Sequence, residues 1–140
     1  MPVGESASSS VVESISSCSL PEFQVQDAVC DGEHTLVLSG ELDLNSAPLL
    51  STTLRLICAE PATSAVVLDL SRLTFMDSTG IHVLLITKEL CAEHGSQFEI
   101  VLGGAQVTRV LQITGLLGQL PIRDGHSNET NIPPAAEEQA

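Results

Sequence analysis

The chain has 140 residues, of which 43% are apolar and 16% are charged, a composition typical of a globular domain rather than a wholly disordered chain. Its formal net charge of −13 disfavours nucleic acid and anionic lipid as partners, because both are polyanions. We therefore expect no nucleic-acid partner and no membrane partner, and we expect a basic surface on any protein that binds this chain.

The distribution of apolar residues and cysteines favours a cytoplasmic protein. No apolar run reaches the roughly 20 residues that cross a bilayer, and the N-terminus lacks the basic and apolar segments of a secretory signal. The cysteines show no C-x-x-C spacing, so a disulfide scaffold is not expected. They are Cys18, Cys30, Cys58 and Cys91.

The two ends of the sequence lack the pattern of a core-forming element. Residues 1–21 are rich in serine, which predicts a disordered extension. Residues 124–140 combine acids with prolines and predict a disordered acidic tail. A single domain is therefore predicted over residues 22–123.

The domain begins with the signature of a β-hairpin. Residues 23–29 alternate apolar and polar side chains, as a half-buried strand does. Asp31-Gly32 supplies the positive φ angles of a tight turn, and residues 34–39 form a second apolar run.

A helix is predicted next, with Asn45 or Ser46 as its cap and Pro48 in its first turn. Four apolar residues then share one helical face: Ala47, Leu50, Leu54 and Ile57. Residues 65–70 form a continuous apolar run typical of a parallel strand.

The remaining elements follow a D-S-T-G turn at residues 77–80. An apolar helix runs from this turn to Gly95, which is placed to end it. A strand at 98–102, a third helix and a short strand at 120–122 complete the pattern. The order β-β-α-β-α-β-α predicts one small α/β domain, in which the first two helices share one face of a mixed sheet of about four to five strands.

No catalytic or metal-binding pattern accompanies these elements. The histidines lack metal-ligand spacing, and Gly103-Gly104 matches neither a phosphate loop nor a dinucleotide turn. Ser78 lies outside the G-x-S-x-G context of hydrolases, and no base can be assigned to it. We therefore predict that the chain is not an enzyme and carries no metal or cofactor.

Two acidic turns, G-E-L-D-L-N-S-A and F-M-D-S-T-G, each join a strand to a helix. Such junctions gather at the carboxyl ends of parallel strands, so the turns are expected side by side. Ser78 would lie at a helix N-terminus, where a phosphate group is favoured, and its charge beside Asp77 and Asp43 would repel a bound partner. The alternative is ordinary capping by Asp77 or Ser78, which spacing alone favours.

Taken together, the two turns and V-V-L-D-L-S-R-L resemble the STAS domain of bacterial anti-sigma factor antagonists. The resemblance implies that the chain binds an anti-sigma factor with GHKL-type serine kinase activity and frees a sigma factor. It also implies that phosphorylation of Ser78, with Thr79 as the weaker alternative acceptor, switches binding off until a phosphatase resets it. We predict that the partner contacts both turns, through Asp43, Asn45, Ser46, Asp77, Ser78, Thr79, Gly80, Ile81 and His82.

Two further possibilities stay open from the sequence. A STAS domain can instead serve as an accessory subunit of lipid transport or as a stressosome-like scaffold. Cys58 and Cys91 fall near the ends of neighbouring helices, where they form either a redox pair or, as is more common, two buried thiols.

Overall fold

The computed structural model describes residues 14–123, which form six strands and three helices. The strands are β1 (Ser14–Leu20), β2 (Phe23–Cys30), β3 (Glu33–Leu42), β4 (Ala65–Met76), β5 (Gln97–Val101) and β6 (Ile122–Arg123). The helices are α1 (Ala47–Ala59), α2 (Ser78–His94) and α3 (Ala105–Ile113). All of the strands belong to one sheet, in which they lie in chain order.

The sheet is antiparallel at one end and parallel at the other. β1, β2 and β3 pair antiparallel, whereas β3, β4, β5 and β6 pair parallel. The predicted hairpin between β2 and β3 is confirmed, with Asp31 at φ 52° and Gly32 at φ 79°. Both angles are positive, as the tight turn requires. Each parallel connection carries one helix, which brings the helix N-termini to the end of the sheet where β3 and β4 finish.

β1 corrects the prediction that residues 1–21 form a disordered extension. Residues 14–20 pair with β2 along their whole length, from Ser14 opposite Val29 to Leu20 opposite Phe23. Six of the seven side chains of β1 are exposed, so the strand has no alternating apolar pattern that sequence reasoning could detect. Its pairing rests on backbone hydrogen bonds. Residues 1–13 and the predicted tail at 124–140 lie outside the described residues.

The sheet is also larger than predicted, because it has six strands rather than four to five and because β4 continues to Met76. The pairing of β3 with β4 shifts register between Val37 and Ser39 and again between Gly40 and Glu41. Such irregularities break the two-residue period, which explains why the sequence pattern indicated a strand only as far as residue 70. The added length carries β4 directly into the D-S-T-G turn.

The core lies between the sheet and the helices. The predicted face of α1 is confirmed, since Ala47, Leu50, Leu54 and Ile57 are all buried. α1 packs against α2, as expected for two helices on the same face. Leucines from three elements, Leu36, Leu54 and Leu84, are at most 1% exposed. Full burial of each such side chain contributes about 1.5–3 kcal/mol to folding.

Candidate functional site at the strand-end turns and the α1–α2 groove

The two acidic turns meet where β3 and β4 end, as predicted. Leu42, the last residue of β3, is paired with Met76, the last residue of β4. One residue further on, the backbone N–H of Asp77 donates a hydrogen bond of 3.3 Å to the carbonyl oxygen of Leu42. The start of α2 is therefore anchored to the strand that leads into the other turn.

Asp77 caps α2. Its Oδ1 accepts hydrogen bonds from the backbone N–H of Thr79 at 2.9 Å and of Gly80 at 3.4 Å. The hydroxyl of Thr79 donates to the same oxygen. These bonds confirm Asp77, rather than Ser78, as the capping residue. The Thr79 hydroxyl is the main reason that the pKa of Asp77 lies below its usual value. Burial opposes this shift, and the backbone N–H bonds add to it.

Ser78 is the first residue of α2, and its side chain is exposed. Within residues 14–123 its hydroxyl makes no hydrogen bond, in contrast to the hydroxyl of Thr79. The N-terminal end of the helix places a positive partial charge next to this hydroxyl. Of the two adjacent hydroxyls, Ser78 is therefore the exposed one that makes no hydrogen bond within the described residues.

The other turn is held by Asp43 and Ser46. Asp43 Oδ1 accepts from the backbone N–H of Asn45 at 3.0 Å and of Ser46 at 3.2 Å. The buried Ser46 hydroxyl donates to the Glu41 carbonyl oxygen at 2.7 Å. Ser46 does occupy the cap position of α1, but its side chain makes no capping bond to the helix, nor does Asn45. The prediction of Asn45 or Ser46 as the cap is therefore confirmed for Ser46 by its position, although the Ser46 hydroxyl points back to the strand.

A groove of about 380 Å³ runs between α1 and α2. Leu44, Pro48 and Arg55 line the α1 side, and Ser78, His82 and Ile86 line the α2 side. Leu44 is 72% exposed, which is unusual for a leucine and leaves an apolar side chain at the mouth of the groove. The groove therefore offers a mainly apolar surface with the Ser78 hydroxyl at one end.

The remaining predicted contact residues do not all reach this groove. Asp43, Asn45 and Ser46 line a separate pocket, together with Glu41 and residues 20–23. Within the groove, Thr79 and His82 accompany Ser78, and His82 is exposed as expected.

Gly80 and Ile81 were also predicted as partner contacts, and both are buried in the structure. Ile81 is 9% exposed and belongs to the hydrophobic core. Gly80 is also buried, and a β-carbon there would lie 2.5 Å from Met76 Cγ. Both residues shape the turn from inside, because the first turn of α2 directs them at the core.

Sequence reasoning missed Leu44 and Arg55 as groove residues. Pro48, Ser51 and Arg55 are spaced at i, i+3 and i+7, which marks one face of α1. Ser78, His82 and Ile86 are similarly spaced at i, i+4 and i+8 on α2. The sequence thus contains both faces, but only the packing of the two helices shows that they face a common groove.

The predicted cysteine pair lies away from the turns. Cys58 is close to the end of α1, and Cys91 is in the last turns of α2. Their sulfur atoms are 3.9 Å apart, and both residues are free thiols in the structure.

No group of three or more histidine, cysteine or acidic side chains in residues 14–123 is placed to hold a metal ion. No helix in that range is long and apolar enough to cross a membrane.

Comparison with known proteins assigns the fold to a family. The family model of the STAS domain matches residues 21–128. The chain belongs to the STAS domain family. The match spans both acidic turns, the groove and the cysteine pair of this STAS domain.

Named relatives of this STAS domain are anti-sigma factor antagonists. The anti-sigma F factor antagonist of Paenibacillus polymyxa is 31% identical over 91 residues, which are 65% of this chain and 78% of the relative. The anti-sigma-F factor antagonist RsfB of Mycobacterium tuberculosis is 31% identical over 86 residues, 61% of this chain and 69% of the relative. The crystal structure of an anti-sigma factor antagonist from Mycobacterium paratuberculosis matches with a TM-score of 0.65 at 29% identity, covering 76% of this chain and 91% of that chain.

Proposed function

We propose that this STAS domain is an anti-sigma factor antagonist, which binds an anti-sigma factor while Ser78 is unmodified and so frees a sigma factor. Its relatives carry that name. The observation that carries the proposal is the exposed and unbonded Ser78 hydroxyl at the start of α2, beside an open groove. We further propose that phosphorylation of Ser78 ends the binding and that the chain itself is not an enzyme.

The hydrogen bonds of the turn favour Ser78 over Thr79 as the phosphate acceptor. The Thr79 hydroxyl is committed to the Asp77 carboxylate, and its loss would weaken the cap of α2. The Ser78 hydroxyl has no such bond within the described residues, so transfer of a phosphoryl group to it leaves the helix cap intact.

A phosphate on Ser78 would change the groove without unfolding the domain. The helix N-terminus stabilises an anion at this position. The group adds about −1.5 to −2 units of charge next to the Asp77 carboxylate, which is kept ionised by its own hydrogen bonds. A partner surface that fits the apolar groove around Leu44 would then meet a bulky, hydrated dianion, and the cost of desolvating it opposes binding.

We propose that the partner is itself a serine kinase of the GHKL type, with a separate phosphatase for reset. Transfer moves the γ-phosphoryl group of ATP to Ser78 Oγ, and the hydroxyl proton must leave to a base. Asp77 is the adjacent carboxylate, but its Oδ1 already accepts three hydrogen bonds within the turn. The base is therefore expected to come from the kinase.

The direct test mixes the full chain with candidate anti-sigma kinases from the same genome, with and without ATP, and measures complex formation by calorimetry. Tryptic mass spectrometry then locates any phosphate, since Ser78 falls in the peptide 73–88 between Arg72 and Lys88. We expect a complex without ATP, and loss of the complex together with a phosphate on Ser78 when ATP is present.

Two variants sharpen the test. Ser78→Ala should bind the kinase and stay bound when ATP is added. Ser51→Ala removes another hydroxyl from the same groove and should behave as the wild-type chain, which binds without ATP and is released when ATP is added. Phosphate on Thr79 would contradict the choice of acceptor. Absence of binding to every candidate kinase would contradict the proposed function and favour the transport or scaffold alternative.

A further inference from the structure

A pair of buried thiols joins α1 to α2. Cys58 and Cys91 are each 1% exposed, and the two sulfur atoms are 3.9 Å apart. This distance places one S–H within hydrogen-bonding range of the other sulfur. The pair is independent of the turns and of the function proposed for them.

We propose that Cys58 and Cys91 form a site of reversible oxidation, at which a hydroperoxide converts the two thiols into an intramolecular disulfide that ties α1 to α2. The geometry is the basis of the proposal. A disulfide bond is about 2.05 Å long, so the sulfur atoms must approach by roughly 1.9 Å. Rotation about χ1 of each side chain moves its sulfur atom and can bring the two sulfur atoms closer together.

The chemistry balances with two thiols and one peroxide. The Cys58 thiolate attacks the peroxide, the O–O bond breaks, and Cys58 becomes a sulfenic acid as one alcohol or water molecule leaves. The Cys91 sulfur then attacks the Cys58 sulfur and loses its proton. The S–S bond forms and a water molecule leaves. Two sulfur atoms are oxidised by two electrons in total, and one peroxide is reduced.

The pair is suited to the first of these steps. The hydrogen bond from Cys91 lowers the pKa of Cys58 to about 7, against the opposing effect of burial, and the charge of nearby His94 lowers it further. The same bond raises the pKa of Cys91. Cys58 is therefore the thiol of the pair that ionises first, and Cys91 keeps its proton.

Access to the buried thiols requires only local opening. Cys58 is the second-last residue of α1, and Cys91 lies within the last turn of α2. The residues that follow each of them, Ala59, Glu60, Ala92 and Glu93, are exposed. The ends of helices open far more often than the whole domain unfolds, so a small peroxide can reach the pair in the folded protein.

The test treats the reduced full chain with hydrogen peroxide, blocks the remaining thiols and digests with trypsin. The two cysteines fall in different peptides, 56–72 and 89–109, because Arg72 and Lys88 lie between them. We expect these peptides as one linked species that dithiothreitol separates. In Cys91→Ser the linked species should be lost, and dimedone should trap a sulfenic acid on Cys58.

The other two cysteines provide an internal control that needs no variant. Cys18 and Cys30 are less buried, so a peroxide dose that modifies both has reached the protein. At that dose, unmodified Cys58 and Cys91 would overturn the proposal, as would disulfides between separate chains in place of the linked pair. A Cys18→Ser/Cys30→Ser variant should still form the linked species to the same extent.

Discussion

Leu42 lies so close to Gly80 that a β-carbon at position 80 would be 3.0 Å from Leu42 Cδ2. The end of β3 thus touches the first turn of α2 through a side chain, in addition to the backbone hydrogen bond between Asp77 and Leu42. The position of the Ser78 hydroxyl relative to the other turn is consequently fixed by core packing.

Gly80→Ala should destabilise the domain. The new methyl group would also lie 2.5 Å from Met76 Cγ, and Met76 is fully buried, so the core must rearrange. Overpacking lowers the free energy of unfolding by about 1–3 kcal/mol, and the better helix propensity of alanine raises it by about 1 kcal/mol. Urea unfolding should therefore show a net loss, whereas Gly118→Ala, where no atom lies within 4 Å of the added carbon, should change little. Equal stability of both variants would contradict the close packing.

Asp77→Ala should cost about 1 kcal/mol through loss of the cap, and Asp77→Asn should cost less because an amide oxygen still accepts hydrogen bonds. The pKa of Asp77 is lowered in the folded state. Its charge-dependent contribution is therefore complete above the unfolded pKa of about 3.9 and is lost as the pH falls through the folded value. Urea unfolding should be measured at pH 7 and at decreasing pH. The difference in the free energy of unfolding between the wild-type chain and Asp77→Asn should shrink below about pH 4. A gap that stays constant with pH would contradict the role of the charge.

His34→Ala should lower the free energy of unfolding, although His34 lies near a hairpin turn. Asp27 is only 8% exposed, and its Oδ2 accepts from His34 Nδ1 at 3.0 Å. Removal of the histidine leaves a buried carboxylate without this partner, which costs about 1–3 kcal/mol. The double variant Asp27→Ala/His34→Ala should recover part of that loss, and a double-mutant cycle from urea unfolding measures it. If the effects of the two single substitutions on the free energy of unfolding add up to the effect of the double substitution, Asp27 and His34 are not coupled.

Leu44→Ala should weaken binding to the anti-sigma factor without lowering the stability of the domain. Leu44 is 72% exposed at the mouth of the groove, so the folded chain loses little when its side chain is shortened. A leucine buried by a partner contributes roughly 1.5–3 kcal/mol, which corresponds to a loss of about 10-fold or more in affinity. Leu56→Ala is the matched control, since Leu56 is 70% exposed on α1 and does not line the groove. Equal effects of the two variants in calorimetry would place the interface elsewhere.

The sequence was most informative for features that depend only on residues close together in the chain. The Asp31-Gly32 turn, the buried face of α1 and the stop of α2 at Gly95 were all predicted, because each depends on the conformation of a few neighbouring residues. The meeting of the two acidic turns was also predicted, since it follows from the parallel order of β3 and β4.

The features that sequence reasoning missed depend on distant residues. β1 exists because β2 offers a free backbone edge, and its own exposed serines give no sign of a strand. The groove exists because α1 and α2 pack together, which sets Leu44 beside Ser78 although neither residue contributes to the core. Likewise, the difference between the hydroxyls of Ser78 and Thr79 follows from the rotamer of Thr79 against Asp77, which residue type alone does not determine.

The order of the strands has a consequence for how the protein is made. Because each described strand pairs with its neighbour in the chain, no strand has to insert between two that are already paired. During synthesis, the β1–β3 meander can form on the emerging chain before β4 leaves the ribosome, and β3 then presents the open edge that β4 completes. β4, which leads into Ser78, can thus pair with a β3 strand that is already folded, so this pairing does not require two distant unfolded segments to meet.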